Sequence, residues 1–330
     1  MILIMMIRFA AAETDDEDGF FISPEYDYIA PYENGLARVH SEEGIGYLST
    51  GGGYVIFPEY EKGGDFTAGV TPVLQQDRFG YINWEEDWVI PRNFPYAMNF
   101  YNRRAKVKTD GDWTYLTLEG GLLTNLMGED RIEKDPASLR NFSEGLAAVK
   151  GPQGYGYINR EGKVVIGLSF QAAEGFSEGL ARVKREGKWG YINEQGETVI
   201  PLEYDFVLDK NEGLLPVMTG ETWGYINREG EEVIPKTFSQ ALPFNQGFAR
   251  VRIDENWGFI DQNGDLVIDA MFDGALDFSE GYAAVKQGEQ WSYINESGHL
   301  LYPFQFQRAN HFSSGRAPVQ VDGQWGLIRR

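Results

Sequence analysis

Short apolar runs recur along the chain, and within each run apolar residues alternate with small or polar ones. One copy of the pattern occupies residues 180–183, 189–193 and 199–200. Each run is too short for a helix and is rich in aromatic and β-branched residues, which is typical of strands. Gly and Asn residues separate the runs at the spacing of short hairpins. The pattern therefore predicts a three-stranded antiparallel meander as the unit of the fold.

This unit returns every 34 residues over most of the chain. The aromatic residue that opens its second strand is a tryptophan in six copies: Trp113, Trp189, Trp223, Trp257, Trp291 and Trp325. Ile45, Phe79 and Tyr155 hold the same place in three more copies. Ten residues earlier a glycine recurs, for example at Gly179, Gly213, Gly247 and Gly281. We interpret these Trp and Gly residues as structural repeat positions of a nine-copy array.

The two ends of the array are complementary. Residues 21–24 match the third strand of a copy, whereas the last copy ends at residues 325–328 without one. A first strand that completed the last sheet would close the array into a propeller-like ring. However, propellers typically have about four to eight blades of four strands, which disagrees with nine units of three strands. We therefore expect an all-β protein with an open or gently superhelical array, and keep the closed ring as the alternative.

The predicted repeat domain covers residues 20–330 and follows a leader at residues 1–19. The leader starts with apolar residues 2–7 and is acidic after residue 12, so it is either the remnant of a signal peptide or an extra strand. Its apolar run is shorter than the ~20 residues of a membrane-spanning helix, and no other segment could span a bilayer.

An insertion near residues 127–140 lengthens one copy, and we expect it to be a surface loop or a ligand-contacting element.

Composition narrows the classes of partner. The formal net charge of −21 repels phosphate backbones and argues against nucleic acid as a partner. The absence of cysteine removes disulfides, thiolate nucleophiles and cysteine zinc sites, and it is compatible with either redox compartment. The possible signal remnant favours an extracytoplasmic location, secreted or at the cell envelope, over the cytoplasm.

Residues that could perform catalysis or bind a metal are scattered. His40, His299 and His311 fall in different copies without the spacing of metal ligands. Residues 261–265 resemble the start of a calcium loop but lack its final Glu, and the glycines at 51–53 open no helix and lack the lysine of a phosphate loop. We therefore predict no catalytic residue, no cofactor and no metal, and a protein that is not an enzyme.

Intact Trp-Gly pairs occur at residues 189–190, 223–224, 257–258 and 325–326. Together with the surrounding Gly-Leu-Ala-Arg-Val, Gly-Tyr-Ile-Asn and Val-Ile-Pro blocks, these pairs make the chain resemble the bacterial WG-repeat family over about residues 20–330. The resemblance implies a β-rich interaction module with little chemistry. Because Ile45 replaces the Trp in one copy, we interpret the Trp as a packing residue. Two copies depart at the Gly instead, with Thr114 and Ser292.

Nine similar units without a unique polar cluster favour binding over catalysis. The leading hypothesis is a non-catalytic repeat scaffold for protein–protein or cell-surface interaction, with a protein or cell-envelope partner, possibly a glycan. One alternative is a carbohydrate-binding module or glycan-acting protein that uses the repeated aromatic residues. Another is a structural or filament subunit in which residues 2–7 pair with the edge strand of a neighbour. In each case we expect the functional residues in the variable connections between copies.

Overall fold

The computed structural model describes residues 19–123, 138–209 and 212–330. Throughout these residues the chain forms strands and turns, and no helix occurs. The strands make nine small antiparallel sheets, which follow one another as the blades of a ring. The leader up to residue 18 and residues 127–137 of the insertion lie outside the described residues.

The strands are numbered in chain order. The first, β1 (Ile22–Tyr26), belongs to the last blade. Blade 1 contains β2 (Tyr28–Ile29), β3 (Leu36–Ser41), β4 (Gly44–Ser49) and β5 (Tyr54–Tyr60), and blade 2 contains β6 (Lys62–Gly63), β7 (Thr71–Gln75), β8 (Arg78–Ile82) and β9 (Trp88–Phe94). Blade 3 contains β10 (Tyr96–Tyr101), β11 (Arg104–Lys108) and β12 (Trp113–Thr117), and blade 4 contains β13 (Leu146–Gly151), β14 (Gly154–Asn159) and β15 (Val164–Phe170).

The remaining blades repeat this order. Blade 5 contains β16 (Ala172–Ala173), β17 (Leu180–Arg185), β18 (Lys188–Asn193) and β19 (Thr198–Tyr204), and blade 6 contains β20 (Phe206–Val207), β21 (Leu215–Thr219), β22 (Thr222–Ile226) and β23 (Glu232–Phe238). Blade 7 contains β24 (Gln240–Ala241), β25 (Ala249–Ile253), β26 (Asn256–Ile260) and β27 (Leu266–Phe272). Blade 8 contains β28 (Gly274–Ala275), β29 (Tyr282–Gln287) and β30 (Gln290–Asn295), and blade 9 contains β31 (Arg308–Ala309), β32 (Arg316–Val321) and β33 (Gln324–Arg329) with β1.

Most blades have four strands, so the predicted three-stranded meander is incomplete. The additional strand comes from the connection between copies and is usually two residues long, as in β20, where Phe206 pairs with Met218 and Val207 with Val217. Six sheets have four strands and three sheets have three. A strand of two residues cannot be recognised from the alternation of apolar and polar residues, because that pattern needs at least four residues.

The ring is closed by the two ends of the repeat domain. Strand β1 pairs antiparallel with β33, with Ile22 opposite Leu327 and Tyr26 opposite Trp325. Phe21 and Tyr26 join Trp325 and Leu327 in one buried cluster between blade 9 and blade 1. The predicted open array is therefore wrong, and the closed ring is the architecture of the protein. The physical reason is that β33 would otherwise expose an unpaired edge, which β1 covers.

The core lies between neighbouring blades rather than inside one domain-wide centre. Nine buried clusters occur, and each joins residues of two successive blades. Between blades 5 and 6, for example, Tyr191 and Ile200 pack with Val207 and Val217. The Tyr191 hydroxyl donates a hydrogen bond to the Leu208 carbonyl at 2.7 Å. The equivalent tyrosine makes the same bond to the next blade in six further copies, so the blades are tied together by packing and by a buried hydrogen bond.

The hairpins between second and third strands follow the predicted Asn and Gly chemistry. In blade 5 the Asn193 side-chain oxygen accepts hydrogen bonds from the backbone N–H groups of Gln195 and Glu197, at 3.1 and 2.9 Å. Gly196 completes the turn at φ +81°, a conformation in which a side chain would be strained. The same pair of bonds forms at Asn159, Asn227, Asp261 and Asn295.

The glycine of the Trp-Gly pair decides whether a blade has its third strand. A Cβ atom on Gly190 would lie 2.5 Å from the Pro201 carbonyl oxygen and 2.6 Å from that of Ile200, so β19 can approach β18 only at a glycine. Blades 3 and 8, where Thr114 and Ser292 replace this glycine, lack the third strand among the described residues. In these two blades the hydroxyl group donates a hydrogen bond to a backbone carbonyl of the segment that takes the place of the third strand. The Thr114 hydroxyl donates to the Leu123 carbonyl at 2.7 Å, and the Ser292 hydroxyl donates to the Tyr302 carbonyl.

Within the described residues the structure has no helix of the length and apolarity needed to cross a membrane.

Candidate functional site

The predicted structural repeat positions are spread around the ring and do not converge. Trp189, Trp223 and Trp325 are buried, and Trp113, Trp257 and Trp291 are partly buried. Gly179, Gly213, Gly247 and Gly281 each adopt a φ near +80° at the turn before a first strand. One such residue per blade cannot form a common site, so a binding region must come from other positions.

Three ion pairs link successive blades at equivalent positions. An arginine in the strand that follows the two-residue strand of a blade reaches an aspartate in the connection of the next blade: Arg38 to Asp65 at 2.9 Å, Arg182 to Asp209 at 2.6 Å, and Arg250 to Asp277 at 2.5 Å. Copies without the arginine also lack the aspartate, as in Pro216 and its counterpart Pro243. The two positions therefore behave as a matched pair across each blade junction.

The match fails in blade 3. Lys106 occupies the arginine position of blade 3, but its counterpart is the neutral Asn141, and Asn99 fills the aspartate position opposite Pro72. The Lys106 ammonium donates a hydrogen bond to the Leu139 carbonyl at 3.2 Å. Among the described residues Lys106 forms no ion pair, unlike the arginines at its equivalent positions. A half-buried cation thus lies at a junction where Asn141 stands in place of the aspartate.

A cavity of about 650 Å³ lies at this place. Its lining includes Lys62, Tyr96, Asn99, Tyr101, Lys106 and Asn141, together with Glu61 and His40. We call this surface the blade 2–4 groove. A second cavity of about 420 Å³ shares Tyr101 and Asn141 with it and continues towards Glu174 and Asp209. The groove is therefore longer than one cavity and large enough for a ligand of several rings.

Two tyrosines present rings to solvent in the groove. Tyr96 and Tyr101 are each 44% exposed, whereas the repeat tyrosine of blade 3, Tyr115, is buried. Tyr96 is held by ring contacts with Phe79 and Trp113, both at 5.4 Å between centroids. A supported, half-exposed ring offers a flat apolar surface at low entropic cost on binding.

The electrostatics of the groove follow from partial burial. Burial lowers the pKa of Lys106, and the nearby Arg140 guanidinium lowers it further. Burial also lowers the pKa of His40, again helped by a guanidinium, that of Arg38. The Arg38 guanidinium donates to His40 Nε2 at 2.5 Å, which requires a neutral imidazole. Among the described residues, the wall of the larger cavity therefore has two lysines, a neutral histidine and one acid, Glu61.

Asn99 has a defined position in the groove. Its side-chain oxygen accepts a hydrogen bond from the Asp65 backbone N–H at 3.2 Å. The amide lies against Gly64, where a Cβ atom would come within 2.0 Å of that oxygen. The Asn99 amide nitrogen has no hydrogen-bond partner among the described residues, so it is available to donate to a ligand.

The described part of the groove does not meet the requirements of a metal site. In the described ranges no group of three His, Asp or Glu residues is placed to hold a metal ion. His40, His299 and His311 lie on blade 1, after β30, and before β32.

Sequence reasoning did not identify the groove residues. A signal does exist, because the position of Lys62 varies from copy to copy more than any core position. Its equivalents are Tyr28, Tyr96, Ser138, Ala172, Phe206, Gln240, Gly274 and Arg308. A position that varies in an otherwise regular repeat is not fixed by the packing that all copies share, and this comparison within the chain points to the connections.

Comparison with known proteins agrees with the repeat and the ring. The family model described as the WG containing repeat matches residues 16–40, 79–113, 155–189, 189–223, 223–257, 257–291 and 291–325. A crystal structure of a eukaryotic initiation factor superposes with a TM-score of 0.62 at 12% identity, covering 94% of this chain and 92% of that one. At that identity the likeness concerns the fold alone.

Two further structural neighbours are bacterial. The extracellular domain of a hybrid two-component system from B. thetaiotaomicron matches with a TM-score of 0.34 at 12% identity, over 88% of this chain and 54% of that one. PorZ, a surface component of the type-IX secretion system of Porphyromonas gingivalis, matches with a TM-score of 0.31 at 9% identity, over 92% and 51%. At these TM-scores the likeness supports no inference about function. No curated protein matches the chain.

Proposed function

Because the chain belongs to the WG containing repeat family and forms a closed ring of nine blades, we propose that it is a non-catalytic scaffold that binds a cell-surface saccharide in the blade 2–4 groove. The observation that carries the proposal is local. The matched Arg–Asp pairing between blades is replaced here by amides, and two tyrosine rings are exposed beside them. The proposal also places the protein outside the cytoplasm, where such saccharides occur.

The groove offers the contacts that a saccharide needs. Amide groups such as those of Asn99 and Asn141 donate and accept hydrogen bonds with hydroxyl groups. The rings of Tyr96 and Tyr101 can stack against the apolar face of a sugar. A concave surface with a few polar groups and aromatic walls is the usual form of a small-ligand site.

The same lining argues for binding without cleavage. Glycoside hydrolysis uses two carboxyl groups on either side of the scissile bond. The cavity beside Lys106 has Glu61 as its one carboxyl side chain among the described residues. The adjoining cavity adds Glu174 and Asp209, which are paired with Arg140 and Arg182. Binding without cleavage therefore rests on the single carboxyl group described for the larger cavity.

A glycan array with the full-length protein tests the proposal. We expect binding of at least one saccharide class, and we expect Tyr101→Ala to weaken it about ten-fold because a stacking surface is lost. Phe57→Ala is the matched control, since Phe57 is a 58% exposed ring on β5, outside the groove. Failure of the wild-type protein to bind any saccharide, or equal losses in the two variants, would contradict the proposal.

A protein partner is the second candidate, and the net charge of −21 favours it. An acidic surface attracts a basic patch, and such attraction weakens as salt screens it. Capture of a defined basic protein that weakens steeply between low and moderate salt would support this candidate. The filament hypothesis depends on residues 2–7, which lie outside the described residues, and it stays a prediction that deletion of residues 1–12 can test.

A further inference from the structure

We propose that the blade 2–4 groove selects acidic saccharides, in which a carboxylate on the sugar ring supplies the anion that the repeat lacks at this junction. The inference rests on the proposed function and adds the chemical class of the ligand. It is carried by Lys106, Lys62 and the two asparagines in aspartate positions.

The charge balance of the groove differs from that of its equivalents. In three other junctions an arginine meets an aspartate at 2.5 to 2.9 Å. Here Lys106 has Asn141 as its counterpart, and Asn99 replaces the next aspartate. Lys62 also has no ion pair among the described residues, although the whole chain has a charge of −21. Two lysines without an ion pair among the described residues, one half-buried and one exposed, thus line one groove of an acidic protein and are placed to pair with an anionic ligand.

Partial burial strengthens this requirement. Lys106 is removed from water enough to lower its pKa, and Arg140 adds repulsion. Its hydrogen bond goes to the neutral Leu139 carbonyl, so among the described residues no opposite charge offsets the partial loss of hydration. A ligand carboxylate that paired with the Lys106 ammonium would offset part of this lost hydration free energy. This favours an anionic ligand over a neutral one of the same shape.

The composition of the groove favours a carboxylate over a phosphate. Phosphate recognition typically uses arginine forks or rows of backbone N–H groups. The described lining of the larger cavity has no arginine, and Arg140 in the adjoining cavity is paired with Glu174 at 3.2 Å.

The remaining groups favour a sugar as the carrier of the carboxylate. The free amide nitrogen of Asn99 and the side chain of Asn141 suit hydroxyl groups. Tyr96 and Tyr101 suit the flat face of a ring, and they lie on the same strand, β10, five residues apart. An extended acidic peptide would use the lysines but leave the tyrosine faces without stacking partners.

The test uses isothermal titration of the full-length protein with three probes: oligogalacturonate, the same oligomer with its carboxylates methyl-esterified, and a poly-glutamate peptide. We expect oligogalacturonate to bind about ten-fold tighter than the ester, since the two differ in the charge that the lysines would pair with. We expect poly-glutamate to bind more weakly than oligogalacturonate.

Two substitutions locate the effect. Lys106→Gln keeps a hydrogen-bond donor for the Leu139 carbonyl but removes the charge, and it should abolish the preference for the acid over the ester. Asn141→Asp introduces the acid that three other junctions have. It should also abolish the preference for the acid over the ester, because Lys106 would then form an ion pair inside the protein. Lys163→Gln, an exposed lysine at the turn between β14 and β15, is the matched control and should change neither affinity. Melting temperatures check that each variant is folded.

The outcomes separate this inference from the proposed function. Equal affinity for the acid and the ester would overturn the acidic preference and leave saccharide binding in place. Stronger binding of poly-glutamate than of oligogalacturonate would overturn the choice of a saccharide. If no probe binds and the wider glycan array is also negative, the proposed function itself fails.

Discussion

The contact of Gly190 with the third strand makes the sharpest prediction about stability. Replacing Gly190 by alanine places a Cβ atom 2.5 Å from the Pro201 carbonyl oxygen, 2.6 Å from the Ile200 carbonyl oxygen and 2.7 Å from the Pro201 carbonyl carbon. These are backbone atoms and cannot rotate away, so β19 must move relative to β18.

The magnitude follows from what that movement disturbs. Overpacking of a dense interior costs about 1–3 kcal/mol. Ile200 on β19 is fully buried and loses part of its contact with Tyr191 if the strand shifts. Partial exposure of an isoleucine adds roughly 1 kcal/mol, since full exposure costs about 1.5–3 kcal/mol. We expect Gly190→Ala to lower the free energy of unfolding by about 3 kcal/mol.

Urea unfolding followed by tryptophan fluorescence measures this loss, and hydrogen exchange locates it. Backbone amides of residues 198–204 should exchange faster in the variant than in the wild type. Gly167→Ala is the matched control, because Gly167 lies in the third strand of blade 4 with no atom within 4 Å of its Cβ position. That control should be neutral or stabilising by up to about 1 kcal/mol. Equal stability of the two variants would refute the close-approach argument.

Three further perturbations test other parts of the ring. Tyr191→Phe leaves the Leu208 carbonyl without its donor and should cost about 1–2 kcal/mol in urea unfolding, and an unchanged midpoint would contradict this. Burial lowers the pKa of His40 below its ordinary 6.5, so the stability that the neutral imidazole contributes above pH 6.5 is lost as the pH falls. His40→Gln should therefore lose less stability between pH 7 and pH 5 than the wild type, and identical pH profiles would exclude the effect. Cysteines at Ile22 and Leu327, which lie opposite each other in a chain with no other cysteine, should form a disulfide. The oxidised form should be stabilised over the reduced form by up to roughly 5 kcal/mol, whereas an open ring would give no crosslink.

Much of the blade could be predicted from sequence because its determinants are local. Alternation, Asn-Gly hairpins and the 34-residue period place strands such as β17 to β19 without any long-range information. The loss of the third strand in two blades was also predictable in principle. A strand that approaches within contact of Gly190 cannot approach Thr114 or Ser292 in the same way, and both substitutions are visible in the sequence.

Closure of the ring needed information that the repeat does not carry. Nine copies exceed the usual number of blades, and a count of three strands per copy strengthened the expectation of an open array. The missing fourth strand was the source of the error, since two residues such as Phe206 and Val207 show no periodicity. The complementary frame of β1 and β33 was the stronger signal, because an unpaired edge is costly whatever the blade count.

The lining of the groove comes from particular neighbouring copies of the repeat. The residues that all copies share therefore do not reveal it. Packing between blades uses positions that every copy must keep, so these positions cannot distinguish one junction from another. The exposed positions of the connections are not fixed by this packing. There a substitution in one blade can form a site only next to a second substitution in the neighbouring blade. Asn99 replaces an aspartate, and Gly64 in the preceding connection leaves the room that its side chain fills. Two coordinated departures at one junction give this connection a local shape that neither would give alone, and the proposed binding rests on that combination.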